Sequence, residues 1–134
     1  MIEIKVKVYY LDLVYSFKVK IMGKVYRLDD VPYTELVKGA KSRLIAGQRL
    51  LISFIEMEPN MVFPLHRHES EQIMIVIEGS MLHTLGDKKV KVSKGDVLVI
   101  ESNELHGGQV SEEGCKAIDI FVPPRQDYLK LIKS

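Results

Sequence analysis

Four side chains carry most of the chemistry legible in this chain: His66 and His68 in PLHRHESEQ, Gln72 just beyond them, and the distant His106. His66 and His68 are two apart, so in an extended strand both imidazoles leave the same face. Gln72 keeps that parity once the corner at Glu69-Ser70 is turned. Glu71 is the rival ligand, but its parity puts it on the opposite face of a regular strand. Imidazole-rich N/O donors with open positions suit a divalent ion such as Zn, Ni, Fe, Mn or Cu, and affinity order does not choose among them. Three neutral imidazoles and a neutral amide leave the ion its full charge. It is then held more weakly than by a carboxylate but is a stronger Lewis acid, suited to a small, anionic substrate. Any one of these histidines alone reads as a surface or hydrogen-bonded residue. The set predicts a metal site, against a metal-free polar pocket as the competing reading. His83 has no motif partner and reads as core or pocket lining.

Two further residues are candidates for chemistry. Asp119 sits in the apolar run AIDIFV, where an unpaired carboxylate would be costly. It is paired, turned to solvent, or aimed into a polar pocket; in the last case it could take and return protons beside a metal. Arg125 follows Pro123-Pro124 and could clamp a substrate carboxylate with both arms of its guanidinium. The bland alternative is an edge-strand Asp119 facing water and a surface Arg125–Asp127 pair.

The elements that must position these groups are short. Residues 2–10 alternate apolar and polar, then the phase flips from Leu11, which a bulge or tight turn near Tyr10–Asp12 explains. These two strands form either an arm that pairs across a dimer or a peripheral segment ahead of a natural start at Met22-Gly23. Asp29–Lys38, with Pro32, is the best place for a short helical turn. Strand-like segments follow at 42–46, 48–58, 62–68, 72–78, 80–85, 90–92, 97–101, 107–110 and 116–122, separated by turn residues such as Gly79, Gly95 and Gly114. This pattern predicts an all-β antiparallel barrel or sandwich. Residues 126–132 add a turn of helix.

Composition sets the bounds. At 134 residues, with 46% hydrophobic and 28% charged residues, the chain reads as one globular domain. A net charge of +1 with scattered lysines is not the concentrated basic surface that binds nucleic acid. No apolar run is long enough for a membrane span. One cysteine and a lysine-interrupted N-terminus point to a cytoplasmic protein.

The motif Asn60-x5-His66-x-His68-x3-Gln72-x6-Gly79, followed by Gly95-x5-Glu101-x-Asn103-x2-His106, resembles the paired signatures of the cupins. The resemblance covers about residues 40–125. It departs from the family at Asn60, where glycine is usual, at Glu101 and Asn103 in place of proline and glycine, and at Val110 in place of a terminal asparagine. It implies a double-stranded β-helix, a jelly-roll barrel, over residues 40–125. Residues 1–39 are then an N-terminal β-strand extension and 126–134 a tail. HESEQ, GDVLVIESNELHGG and D-x-F-x-PPR-x-DY are similar to small single-domain cupins related to a pectin-degradation protein, which convert unsaturated uronates or their 4-deoxy-5-keto forms to linear keto sugar acids. That resemblance implies His66, His68, Gln72 and His106 as metal ligands and Asp119 and Arg125 as active-site residues. It implies an isomerase or ring-opening enzyme, with a metal-dependent dioxygenase and a non-catalytic sugar-binding or regulatory barrel as alternatives. A homodimer is expected by the same analogy, and because the edge strand at 2–10 would otherwise lie unpaired.

Overall fold

The computed structural model describes residues 2–10, 13–21 and 23–132, which divide into two compact units at Asp30/Val31. In the first, β1 (Ile2–Tyr10) and β2 (Leu13–Ile21) form an antiparallel hairpin with Ile4 opposite Val19 and Val6 opposite Phe17. Even positions of β1 therefore meet odd positions of β2, which is why the apolar phase flips between them. The turn expected near Tyr10–Asp12 falls mostly on residues 11–12, outside the described residues. The helical turn expected over Asp29–Lys38 is confined to a 3-10 turn at Leu28–Asp30. Tyr33–Val37 is instead a strand, β3, because Tyr33, Glu35 and Val37 alternate outward with Thr34 and Leu36.

In the second unit β3 is followed by β4 (Ala40–Ala46), β5 (Leu51–Met57), β6 (Val62–His66), β7 (Glu71–Leu85), β8 (Lys88–Ser93), β9 (Val97–Ile100), β10 (His106–Val122) and the short helix α1 (Gln126–Leu129). The expected breaks at Gly79 and Glu112–Gly114 are bulges inside two long strands. Gly79 (φ 75°) and Gly114 (φ 80°) adopt left-handed backbone where β7 and β10 cross, and the register shifts there between Val110 and Cys115. A Cβ on Gly79 would collide with the Gly114 carbonyl.

Because both long strands pass the bulge, each belongs to two sheet regions. One runs β3-β4-β5-β10-β7-β9, using the C-terminal half of β10 and the N-terminal half of β7. The other runs β6-β10-β7-β8, using the remaining halves. This is the expected all-β jelly roll. β3, grouped with the extension in the sequence reading, is hydrogen-bonded to β4 in the first sheet.

The core lies inside the barrel. Every second residue of β5 from Leu51 to Met57 is buried, and Met74, Val76, Met81, Val110 and Ala117 meet Ile55 and Met57. A second cluster of Leu44, Leu51 and Phe121 is covered by Tyr128, Leu129, Leu131 and Ile132 from the C-terminal segment. Full burial of side chains such as Leu51 and Phe121 contributes about 2–3 kcal/mol each. Two core serines satisfy one another, Ser42 Oγ lying 2.6 Å from Ser53 Oγ. Among the described residues no helix is long and apolar enough to cross a membrane.

Candidate metal centre

His66 and His106 are brought together by strand pairing, directly opposite each other where β6 meets β10. Close approach of these strands requires Gly107: a Cβ there would lie 2.7 Å from the Phe63 carbonyl oxygen. His68 arrives differently from the strand parity expected. β6 ends at His66, and His68 sits in the following loop, pinned where its carbonyl accepts the Asn103 N–H at 2.8 Å. Asn103 (φ 63°) and Asn60 (φ 62°) both take left-handed backbone, at two positions where the motif that the sequence resembles has glycine.

The three histidines each offer a ligand atom, all within 4.8 Å of one another. Each Nδ1 is committed to a backbone carbonyl: His66 to Pro64 at 2.9 Å, His68 to Ser70 at 2.8 Å, and His106 to Glu104 at 2.7 Å. A carbonyl only accepts, so Nδ1 carries the proton and Nε2 is left with its lone pair. Burial lowers the pKa of His68 and takes that of His106 down to about 4, so both rings are neutral at neutral pH.

Gln72 is buried on β7, whereas Glu71 is exposed. Its Nε2 donates to Asp119 Oδ1 at 3.0 Å, which turns Oε1 toward His68 Nε2 at 3.1 Å. Two lone-pair atoms thus face each other across a short gap. A cation between them reconciles that contact, so the donor set of three imidazoles and one amide oxygen fits a divalent ion.

Asp119 is neither on an edge strand nor facing water. It is 7% exposed on β10, between β5 and β7. Burial raises its pKa to about 6, with the Gln72 amide and the Arg125 guanidinium pulling the other way. Arg125 does form the Asp127 pair, through Nε to Oδ1 at 3.1 Å and Nη2 to Oδ2 at 2.6 Å. It also lies 3.8 Å over the Tyr128 ring and lines one cavity with His66, Gln72, His106 and Asp119.

That cavity is small, about 50 Å³. Phe121 and Tyr128 also line it, and the sequence reading missed both. Phe121 shares the inward parity of Ala117 and Asp119, a signal that was available; Tyr128 is placed only by packing of the tail. Their rings meet edge to face at 5.5 Å, and burial pushes the Tyr128 hydroxyl up to about 12. His83, at 5% exposure, is pocket lining: its Nε2 lies 3.2 Å from Met74 Sδ and burial lowers it to about 4. A larger hollow of about 650 Å³ holds none of the imidazoles, so the chemistry belongs in the small cavity.

Residues 53–121 match the family model described as "Cupin domain". The chain belongs to the cupins. Among cupin relatives, the pectin degradation protein KdgF of Dickeya dadantii (strain 3937) is 31% identical over 110 residues, spanning 81% of this chain and all of that protein. The H2HPP isomerase of Bacillus subtilis is 35% identical over 71 residues, 52% of this chain and 30% of its own. Among solved cupins, KdgF from Halomonas sp. superposes with a TM-score of 0.74 at 25% identity, covering 80% of this chain and 99% of that one.

Proposed function

We propose that this cupin is a metal-dependent isomerase that opens the ring of a small unsaturated uronate. The observation that carries the reading is the chain His68–Gln72–Asp119, in which one amide links the imidazole cluster to a buried carboxylate. The similarity to two KdgF proteins, one of them named for pectin degradation, supports a sugar-acid substrate.

His66, His68, His106 and Gln72 would hold a divalent ion, which supplies Lewis acidity at the substrate oxygens. Arg125, oriented by Asp127 and Tyr128, pairs with the substrate carboxylate. Asp119 accepts the proton of the anomeric hydroxyl as the C1–O5 bond breaks and C1=O forms. The ring oxygen leaves as an enolate across C4=C5, and the proton is returned at C4 to give the 5-keto acid. No oxidant or water is consumed. A carboxyl poised near 6 suits a group that must both take and release a proton.

The test is anaerobic turnover of a 4,5-unsaturated galacturonate by metal-loaded protein, followed by loss of its alkene absorbance. Asp119→Asn is expected to lower kcat by about 10²–10⁴ while metal content is unchanged. Fully loaded wild-type protein that leaves the alkene intact would overturn the reading, and oxygen uptake with another substrate would replace it with a dioxygenase.

A further inference from the structure

When the uronate ring opens, negative charge gathers on the ring oxygen O5, next to the carbon that carries the carboxylate. A fixed donor aimed at that oxygen would stabilise the charge as it forms. Most polar side chains of the cavity are already committed. Each of the three site histidines spends its Nδ1 proton on a backbone carbonyl. The Gln72 amide is engaged at both ends, by Asp119 and by His68. His83 sets Nε2 against Met74 Sδ at 3.2 Å, and its Nδ1 is buried. Arg125 gives Nε and Nη2 to Asp127, which leaves its remaining N–H groups for the substrate carboxylate.

Among the described side chains of the cavity, the Tyr128 hydroxyl is the donor left over. Tyr128 lines the cavity, and its hydroxyl makes no hydrogen bond to another described residue. A largely buried phenol usually has a partner. The ring is nonetheless fixed in place. The Arg125 guanidinium lies 3.8 Å over it, and Phe121 meets it edge to face at 5.5 Å. Arg125 and Tyr128 also share one turn of chain, closed where the Leu129 N–H donates to the Arg125 carbonyl at 3.0 Å. We propose that Tyr128 is the oxyanion donor of this site, its hydroxyl hydrogen-bonding the substrate oxygen that becomes an enolate beside the carboxylate held by Arg125. The role rests on the ring-opening reading above.

Connectivity of the substrate favours this assignment. C5 is bonded to the carboxylate carbon, so a phenol stacked against the guanidinium sits on the C5 side of the ring. Asp119, held by Gln72 beside the imidazoles, serves the C1 side. Burial pushes the phenol up to about 12, so it keeps its proton at neutral pH and only donates. No bond breaks at the tyrosine, and the proton that reaches C4 comes from Asp119. The hydrogen bond strengthens as charge builds on the oxygen. The plain alternative is a tail tyrosine whose ring merely covers Leu44, Leu51 and Phe121. Phenylalanine would cover them equally well, so Tyr128→Phe separates the two roles.

The test compares zinc-loaded wild type with zinc-loaded Tyr128→Phe. Both are expected to carry the same zinc and to melt alike, since the ring remains. On the 4,5-unsaturated galacturonate, kcat is expected to fall about 10²–10³-fold in the variant, with KM changed by less than about threefold. Oxalate binding gives a readout without turnover, because this planar dianion sets an oxyanion beside a carboxylate as the enolate does. Tyr128→Phe is expected to bind oxalate about tenfold more weakly than wild type. Glycolate, with a neutral hydroxyl in place of the oxyanion, should weaken by less than about threefold. An active wild type with an equally active Tyr128→Phe would overturn the proposal and leave the ring-opening reading standing. Equal oxalate binding by the two proteins would overturn it as well. A wild type that leaves the alkene intact, but whose oxalate binding falls in Tyr128→Phe, would remove the ring-opening reading and keep the donor.

Discussion

Asp119→Asn is expected to make the metal-free protein more stable at pH 8 while lowering the kcat of the metal-loaded protein. Burial raises the Asp119 pKa from 3.8 to about 6 in the folded chain. A raised folded-state pKa contributes stability that is fully present below pH 3.8 and is lost as the pH climbs through 6. The rise corresponds to on the order of 3 kcal/mol, charged against the folded state above that window. Asparagine has the same shape and still offers an oxygen to Gln72 Nε2, now 3.0 Å from Oδ1, and the stronger bond made by the charged carboxylate is already contained in the pKa of about 6. The gain at pH 8 is therefore about 3 kcal/mol, or roughly 10 °C in Tm for a domain of this size. Near pH 4 the carboxyl is itself neutral and the gain disappears. Thermal melts of both proteins in chelator at pH 4 and pH 8 measure this directly. His83 and His106 also titrate in the acid range, but they do so in both proteins, so the difference isolates position 119. A variant destabilised equally at both pH values would refute the reasoning, because Asp119 would then be a structural hydrogen-bond acceptor with no burial cost to relieve.

Other perturbations have equally definite outcomes. Ser42→Ala leaves the fully buried Ser53 hydroxyl without its partner and should cost about 1–3 kcal/mol in urea unfolding, whereas Ser42→Ala with Ser53→Ala should recover part of that loss. Gly107→Ala forces β6 and β10 apart at the His66–His106 pair, so titration with zinc should show at least tenfold weaker binding in a protein that still folds. Gly79→Ala collides with the Gly114 carbonyl and should unfold at least 3 kcal/mol more easily than wild type. Gly86→Ala, with open space around it at φ 60°, should lose only about 1 kcal/mol for its left-handed backbone.

The strands were legible wherever alternation was clean, as in β5 and the hairpin. Continuity was not. Gly79 and Gly114 look like turn residues, and only tertiary pairing shows that they bulge within β7 and β10 instead of ending them. β3 was hidden because Asp29 and Pro32 resemble a helix start, although Tyr33–Val37 already alternates. In the site, the spacing of His66, His68, Gln72 and His106 identified residues that do converge, yet the parity argument explains only part of it. His68 is aimed by a loop whose anchor, Asn103, is distant in sequence. Tyr128 could not be placed at all, since its position depends on the tail folding back over Leu51 and Phe121.

The central claim is that three imidazoles and one amide oxygen share a single cation. Zinc-edge X-ray absorption on zinc-loaded protein, with metal content measured alongside a His106→Ala control, tests it most directly. The expected result is one ion per wild-type chain with three imidazole nitrogens at about 2.0–2.1 Å, and loss of the ion in the variant. Fewer than three imidazoles in the wild-type spectrum, or equal zinc in wild type and His106→Ala, would contradict it.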